Sequence, residues 1–188
     1  MGTTALLVMD VQRGIVERFN SDAEYLPRLG RTIEAARTAN IPVDYVVVGL
    51  RPGHPEISGR NKSFSTLAAS GGMVITDPAG AVHPDVAPLE GDVVVAKRRV
   101  SAFTGSDLEV VLRAANADSL VLAGIATSGV VLSTLRQAAD LDYRLTVLSD
   151  GCLDADPEVH RVLTEKVFPR QADVLSSGEW LGQIAAAA

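Results

Sequence analysis

Asp118-Ser-Leu-Val-Leu-Ala-Gly-Ile-Ala-Thr-Ser-Gly-Val-Val-Leu-Ser-Thr134 is the stretch on which the reading of the fold turns. Leu120 to Ala123 is a continuous apolar run, the pattern of a strand buried on both faces, and Gly124 is expected to end it. After Ser128 the period changes. Val131, Leu135 and Ala138, with Thr134 beside them, share one helical face, and Thr127 or Ser128 is expected to cap that helix. A strand that turns straight into a helix leaves backbone N–H groups at the helix start, aimed where a substrate oxygen could sit. Small residues there allow a ligand to approach the backbone closely. Taken alone, the segment reads more readily as a tight connection with no chemistry; two other strand ends change that.

The rest of the chain repeats the alternation. Ala5 to Met9 and Val93 to Ala96 are further short apolar runs, and Val43 to Val48, Leu145 to Leu148 and Asp173 to Leu175 read as further strands. Between them, Leu26, Leu29, Ile33 and Ala36 recur at helical spacing within Ala23 to Asn40, and Ser106 with Glu109 forms a capping-box pattern before Leu108, Val111, Leu112 and Ala115. Asp156-Pro157 reads as the start of a helix carrying Val159, Val162, Leu163 and Val167. A terminal helix is expected from Gly178, with Trp180, Leu181 and Ile184 on its apolar side. Strands that alternate with helices, each strand a near-continuous apolar run, predict an α/β fold: a parallel sheet covered by helices on both faces. In such sheets ligands bind beyond the carboxyl ends of the strands.

Composition narrows the class of partner. The 188 residues are expected to form a single domain, 1–188, with no linker composition and no internal repeat. No apolar run approaches the roughly 20 residues of a membrane span, and the N-terminus lacks the basic and apolar regions of a secretory signal, so the expected location is cytoplasmic. Cys152 is the one cysteine, which excludes an internal disulfide. A formal net charge of -6 without a Lys/Arg cluster argues against nucleic acid or an anionic membrane as partner and leaves a small molecule. Gly49 to Gly91, rich in glycine and proline, reads as a binding loop or lid, and its Arg51, Arg60 and Lys62 could meet an anionic substrate; solvated surface charge is the alternative.

Two strand ends carry charge. Asp10 follows the first run and Lys97 the third, and the small-residue turn at Ala126 to Val130 follows the fourth. A carboxylate, an ammonium and backbone amides at one crevice are the parts of an acid/base site with anion stabilisation. A structural Asp-Lys ion pair accounts for the first two equally well.

Leu7-Val8-Met9-Asp10-Val11-Gln12, Lys97-Arg98-Arg99-Val100-Ser101-Ala102-Phe103, Gly124-Ile125-Ala126-Thr127-Ser128-Gly129 and Ser149-Asp150-Gly151-Cys152-Leu153-Asp154 resemble, in order, the motifs of the isochorismatase-like (cysteine hydrolase) superfamily. The resemblance spans nearly the whole chain. It implies a three-layer, Rossmann-like fold with a six-stranded parallel sheet, assembled as a homodimer or higher homo-oligomer. It also implies an Asp-Lys-Cys triad, of which Asp10 and Lys97 are present. The cysteine's position, six residues after Gly124, is held by Val130, which closes the thioester route there. Cys152 is not a substitute, because the family often carries a cysteine in that segment without using it. A cis bond before Ala126 is implied, with the amides of Ala126 and Val130 as oxyanion-hole donors. The motifs give Gln12, Phe103, Thr127 and Ser128 as substrate-binding candidates, and the long loop gives Arg51, Arg60, Asn61 and Lys62. Nicotinamidase relatives bind metal through an Asp-x-His pattern whose first positions here are Gly49 and Arg51, and His54, His83 and His160 lack ligand spacing, so neither metal nor cofactor is expected.

Three functions fit these residues. The first is a cofactor-free hydrolase with Asp10 as general acid/base, Lys97 orienting it and water attacking directly, as the resemblance implies for isochorismatases, which also lack the cysteine. The second is a non-catalytic small-molecule-binding protein that lost its nucleophile. The third is an amidase using Thr127, Ser128 or Ser133, for which no histidine is visibly placed in the sequence.

Overall fold

The structure is a computed structural model that describes residues 2–19 and 22–187. Six strands, β1 (Thr3–Met9), β2 (Val43–Val48), β3 (Val93–Lys97), β4 (Ala117–Ile125), β5 (Arg144–Leu153) and β6 (Asp173–Leu175), form one sheet in the order β3-β2-β1-β4-β5-β6. Every neighbouring pair is parallel. The helices are α1 (Arg13–Val16), α2 (Tyr25–Thr38), α3 (Lys62–Ala69), α4 (Leu108–Ala114), α5 (Leu132–Asp140), α6 (Pro157–Val162) and α7 (Ser177–Ala187). Among the described residues no helix is long and apolar enough to cross a membrane.

The period-2 alternation of each strand divides the core into two layers. Leu7, Met9, Val46, Val95, Leu120, Leu122 and Val147 pack on one side with Leu108 and Leu112 of α4 and Leu135 and Ala138 of α5. Leu6, Val8, Tyr45, Val121 and Ala123 pack on the other with Leu29, Ile33 and Ala36 of α2 and Trp180 of α7. These layers match the expected three-layer α/β fold.

The chain winds outward from β1 to β3, then returns across the sheet and winds the other way from β4 to β6. The carboxyl ends of β1 and β4 are therefore neighbours whose following segments diverge, and this switch point is where a doubly wound sheet opens a crevice.

Gly124 does not end its strand, contrary to expectation. Its φ is +147°, and a Cβ there would lie 2.1 Å from the Met9 carbonyl oxygen. Lacking a side chain, it lets β4 pass the end of β1 at close range, through a register irregularity, and continue to Ile125. The Ser149 to Cys152 segment likewise remains in β5 rather than leaving it, because Cys152 and Leu153 pair with Gly124 and Ile125.

Several caps also differ from expectation. Asp107 stands at the start of α4 without a side-chain cap bond; Ser106 Oγ accepts from Leu108 N at 3.3 Å and donates to the Ala102 carbonyl at 2.6 Å, but Glu109 pairs with Arg113 instead of reaching back, so the box is half formed. A reciprocal capping box forms instead before α7, where Glu179 Oε2 accepts from Ser176 N at 2.7 Å and Ser176 Oγ accepts from Glu179 N at 3.2 Å. Neither Thr127 nor Ser128 caps α5; a wide π-helical turn over Thr127–Val131, preceded by Ala126, leads into it. Asp156 caps α6 as expected, accepting from Glu158 N at 2.8 Å. The long stretch after β2 is not all loop: it contains α3, capped by the Asn61 side chain, which accepts from Phe64 N at 3.1 Å.

Candidate active site

Asp10 is the first residue beyond β1 and turns sharply, with φ +56°. Its amide donates to the Val46 carbonyl at 2.8 Å, which pins the backbone, and its side chain is buried. Lys97 ends β3 two strands away and reaches past the end of β2, where its Nζ meets Asp10 Oδ2 at 2.9 Å. The same ammonium donates to the Arg99 and Val100 carbonyls, each at 3.0 Å. An ammonium has three donors, so all are taken. Lys97 thus holds the carboxylate and the chain leaving β3, with no proton left over for a ligand.

Asp10 Oδ1, by contrast, is buried without a hydrogen-bond partner among the described residues. Burial pushes the Asp10 carboxyl up to about 6, against the lowering effect of Lys97. Near neutral pH such a group exists in both forms. Because the ammonium occupies Oδ2, the proton of the neutral form belongs on Oδ1.

Asp10 and Lys97 line a cavity of about 240 Å³. Ile125, Ala126, Gly129 and Val130 from the β4–α5 turn form one wall, Val48, Phe64, Leu67 and Val100 another, and Ile15, Arg18 and Phe19 close the side next to β1. The Ile125–Ala126 peptide bond is cis. Apart from the charged pair, Arg18 and Ser63, the lining is apolar. A crevice at the switch point, holding a buried carboxyl with one free oxygen next to small-residue backbone, can move a proton on a small ligand.

The chain as a whole is similar to known proteins. The isochorismatase domain family matches residues 4–179, most of the chain. The chain belongs to the isochorismatase family. Among its relatives, the ureidoacrylate amidohydrolase RutB of Methylobacterium radiotolerans is 32% identical over 96% of this chain and 80% of that protein. The probable inactive nicotinamidase At3g16190 of Arabidopsis thaliana is 32% identical over 84% of each. A cysteine hydrolase from Pseudomonas syringae pv. phaseolicola 1448A superposes with a TM-score of 0.90 at 24% identity, covering 98% of this chain and 93% of that one, a likeness of fold.

Within this isochorismatase-family cavity, Asp10, Lys97, Ala126 and Val130 come together from three separate segments, as the strand-end pattern anticipates. The eight substrate-binding candidates do not line it. Gln12 is fully buried and ties three segments: its Nε2 donates to the Val48 carbonyl at 3.0 Å and the Gly80 carbonyl at 2.7 Å, and its Oε1 accepts from Val48 N at 2.8 Å. Phe103 is in the core beside Tyr143. Asn61 caps α3, Arg51 pairs with Glu56 at 3.4 Å, and Arg60 and Lys62 are exposed outside the cavity. Thr127 is fully buried, and the Ser128 amide is taken by Asp154 Oδ2 at 2.7 Å.

A histidine does stand beside a hydroxyl, which the sequence did not reveal: His160 Nδ1 lies 2.8 Å from Thr127 Oγ1. That hydroxyl is also 3.1 Å from the Leu153 carbonyl and does not line the Asp10–Lys97 cavity, so the contact joins α6 to the β4–α5 turn. Burial lowers the pKa of His160, and Asp154 opposes that shift. Cys152 is buried outside the cavity, its thiol pushed up to about 12 by burial, which makes it a poor nucleophile. Among the described residues no group of three or more His, Cys, Asp or Glu is placed to hold a metal ion.

The lining residues that the sequence reading missed had a signal. Ile15, Arg18 and Phe19 follow Asp10 at helical i, i+3, i+4 spacing, and Phe64 and Leu67 are three apart within the presumed loop. Both segments are too short for their periodicity to stand out.

Proposed function

We propose that this isochorismatase-family chain is a cofactor-free hydrolase of a small molecule, with Asp10 as general acid/base, water as nucleophile and no cysteinyl intermediate. The observation that carries the reading is the buried, unpartnered Oδ1 of Asp10 in a carboxyl whose pKa is about 6, beside a cavity that no thiol lines. Oδ1 gives its proton to the substrate, water adds to the electron-poor carbon and passes a proton back to Oδ1, restoring the carboxyl, and the adduct then collapses: its carbon–heteroatom bond breaks and the leaving group departs with the proton of the new hydroxyl. Lys97, held on Oδ2, keeps the charge of the carboxylate form compensated. The backbone of Ala126 and Val130 lies beside the reacting group as the oxyanion-hole candidate, and Val130 holds the place where a triad cysteine would stand. Hydrolase relatives such as RutB are consistent with this class of reaction.

The test is turnover of a panel of vinyl ethers, esters, amides and imides by the wild type, Asp10→Asn and Val130→Cys. The expected result is wild-type activity on at least one member, lost by about 10²- to 10⁴-fold in Asp10→Asn, the range for removing a general acid/base. Activity that survives in Asp10→Asn, or that arises only in Val130→Cys, overturns the proposal. The second outcome favours a non-catalytic binding protein, a reading supported by the apolar Val130 in the cavity wall and by the relative described as probably inactive.

A further inference from the structure

We propose that Arg18 is the specificity-determining residue of this cavity: it binds the charge of a small monoanionic substrate at the rim while an apolar body fills the interior. The inference deepens the hydrolase reading and rests on the same cavity. The two charged groups inside, Asp10 and Lys97, are paired with each other, and Lys97 has no donor to spare. Around them stand Ile15, Phe64, Leu67, Val100 and Val130, which offer no counter-charge. An anion deep in the cavity would face an unpartnered carboxyl oxygen and hydrocarbon, at a large desolvation cost. The charge must therefore sit at the edge.

At that edge Arg18 is the cation in the lining. Its Nε donates to the Gly14 carbonyl at 2.8 Å, which fixes the side chain against its own turn. Its two terminal nitrogens have no protein partner among the described residues, so the forked edge that suits a carboxylate is open. The neighbouring arginines are committed. Arg98 and Arg51 converge on Glu56, and Arg99 donates to the Arg98 and Glu56 carbonyls while its guanidinium lies over the Phe64 ring. The cavity's 240 Å³ is below the roughly 300–1,000 Å³ of drug-sized sites, which limits the body to about one ring or a short chain.

Benzoate and its neutral isostere benzamide are the probes, with binding to the intact protein measured by titration calorimetry or ligand-observed NMR. The wild type is expected to bind benzoate at least tenfold more tightly than benzamide, with the preference weakening as salt is added. Arg18→Gln is expected to bring benzoate down to the level of benzamide, whereas Arg60→Gln and Lys62→Gln keep the preference. Equal binding of the two probes by wild type, a preference that survives Arg18→Gln, or no saturable binding of either overturns the assignment. Asp10→Asn separates this inference from the catalytic one: it is expected to retain the benzoate preference, so a failed turnover panel with intact binding sinks only the hydrolase reading. On any substrate the panel yields, Arg18→Gln is expected to raise KM at least tenfold for anionic members with kcat within about twofold, as loss of an interaction equal in ground and transition states requires.

Discussion

At the scale of single residues, the site depends on a contrast between the two oxygens of Asp10, one held by Lys97 and one free. If the neutral carboxyl is the acid, kcat/KM falls as pH rises through about 6. Lys97 lowers that pKa, so Lys97→Met is expected to move the limb to higher pH, and a pH–rate profile of the two proteins reads the shift directly. The same substitution leaves the buried Asp10 without its partner, whether it stays charged or takes up a proton, with an expected loss of about 3–5 kcal/mol in stability at neutral pH. Cys152 gives a complementary prediction. Buried and with its thiol raised to about 12, it is expected to react with iodoacetamide only on unfolding, leaving turnover untouched. Rapid inactivation of the native protein by the reagent would contradict the water mechanism.

At the scale of elements, the cavity wall opposite the β4–α5 turn belongs to a segment that is tied down rather than packed into the main core. Phe64 of α3 joins Val48 and Leu50 in a small satellite cluster. Arg99 secures it from the other side, with its guanidinium 5.6 Å from the Phe64 ring centroid and an Nη2 bond of 2.8 Å to the Glu56 carbonyl. A cation–π contact of this kind contributes about 0.5–1 kcal/mol, so Arg99→Ala is expected to cost little global stability yet loosen the wall. Hydrogen exchange should quicken across residues 56–69 while β1 and β4 keep their protection. Uniform exchange in both proteins would show that the tie is unnecessary. Gly124 acts at the same scale but with a larger consequence. Gly124→Ala would drive a Cβ into the Met9 carbonyl at a φ that side chains rarely adopt, and a loss of roughly 3 kcal/mol or more is expected in a denaturant titration.

For the whole molecule, the strand order puts a second pH-sensitive carboxyl at the end of the sheet opposite the crevice. The carboxyl ends of β1 and β4 open the crevice, while Asp44, near the start of β2, is buried with Oδ2 lacking a partner. Burial, together with nearby Asp92, pushes its carboxyl from 3.8 to about 6. A raised carboxyl favours the folded state fully below the unfolded pKa and loses that advantage as pH rises through the folded value. The charge therefore destabilises the protein above about pH 6. Asp44→Asn is expected to raise stability at neutral pH by up to about 3 kcal/mol at 1.36 kcal/mol per unit, and to change little below about pH 4. Unfolding midpoints of both proteins at the two pH values test the sign.

The sequence by itself determined the class of fold, because buried parallel strands must be largely apolar and the helices between them must show a 3.6-residue period. It also determined that Asp10, Lys97 and the 126–130 turn lie at or just beyond strand ends, since each comes at the end of an apolar run. Tertiary structure alone decided which strand ends meet. The order β3-β2-β1-β4-β5-β6 brings residues from three distant segments around one cavity, and no local pattern encodes that order. It also decided which polar side chains serve the cavity. Gln12, Asn61, Thr127 and Arg51 looked like ligands in the sequence, but each is used on the protein's own backbone or ion pairs. A side chain's hydrogen-bond partners are set by packing. Arg18 and Phe64 reach the cavity for the same reason, from segments too short to declare a period.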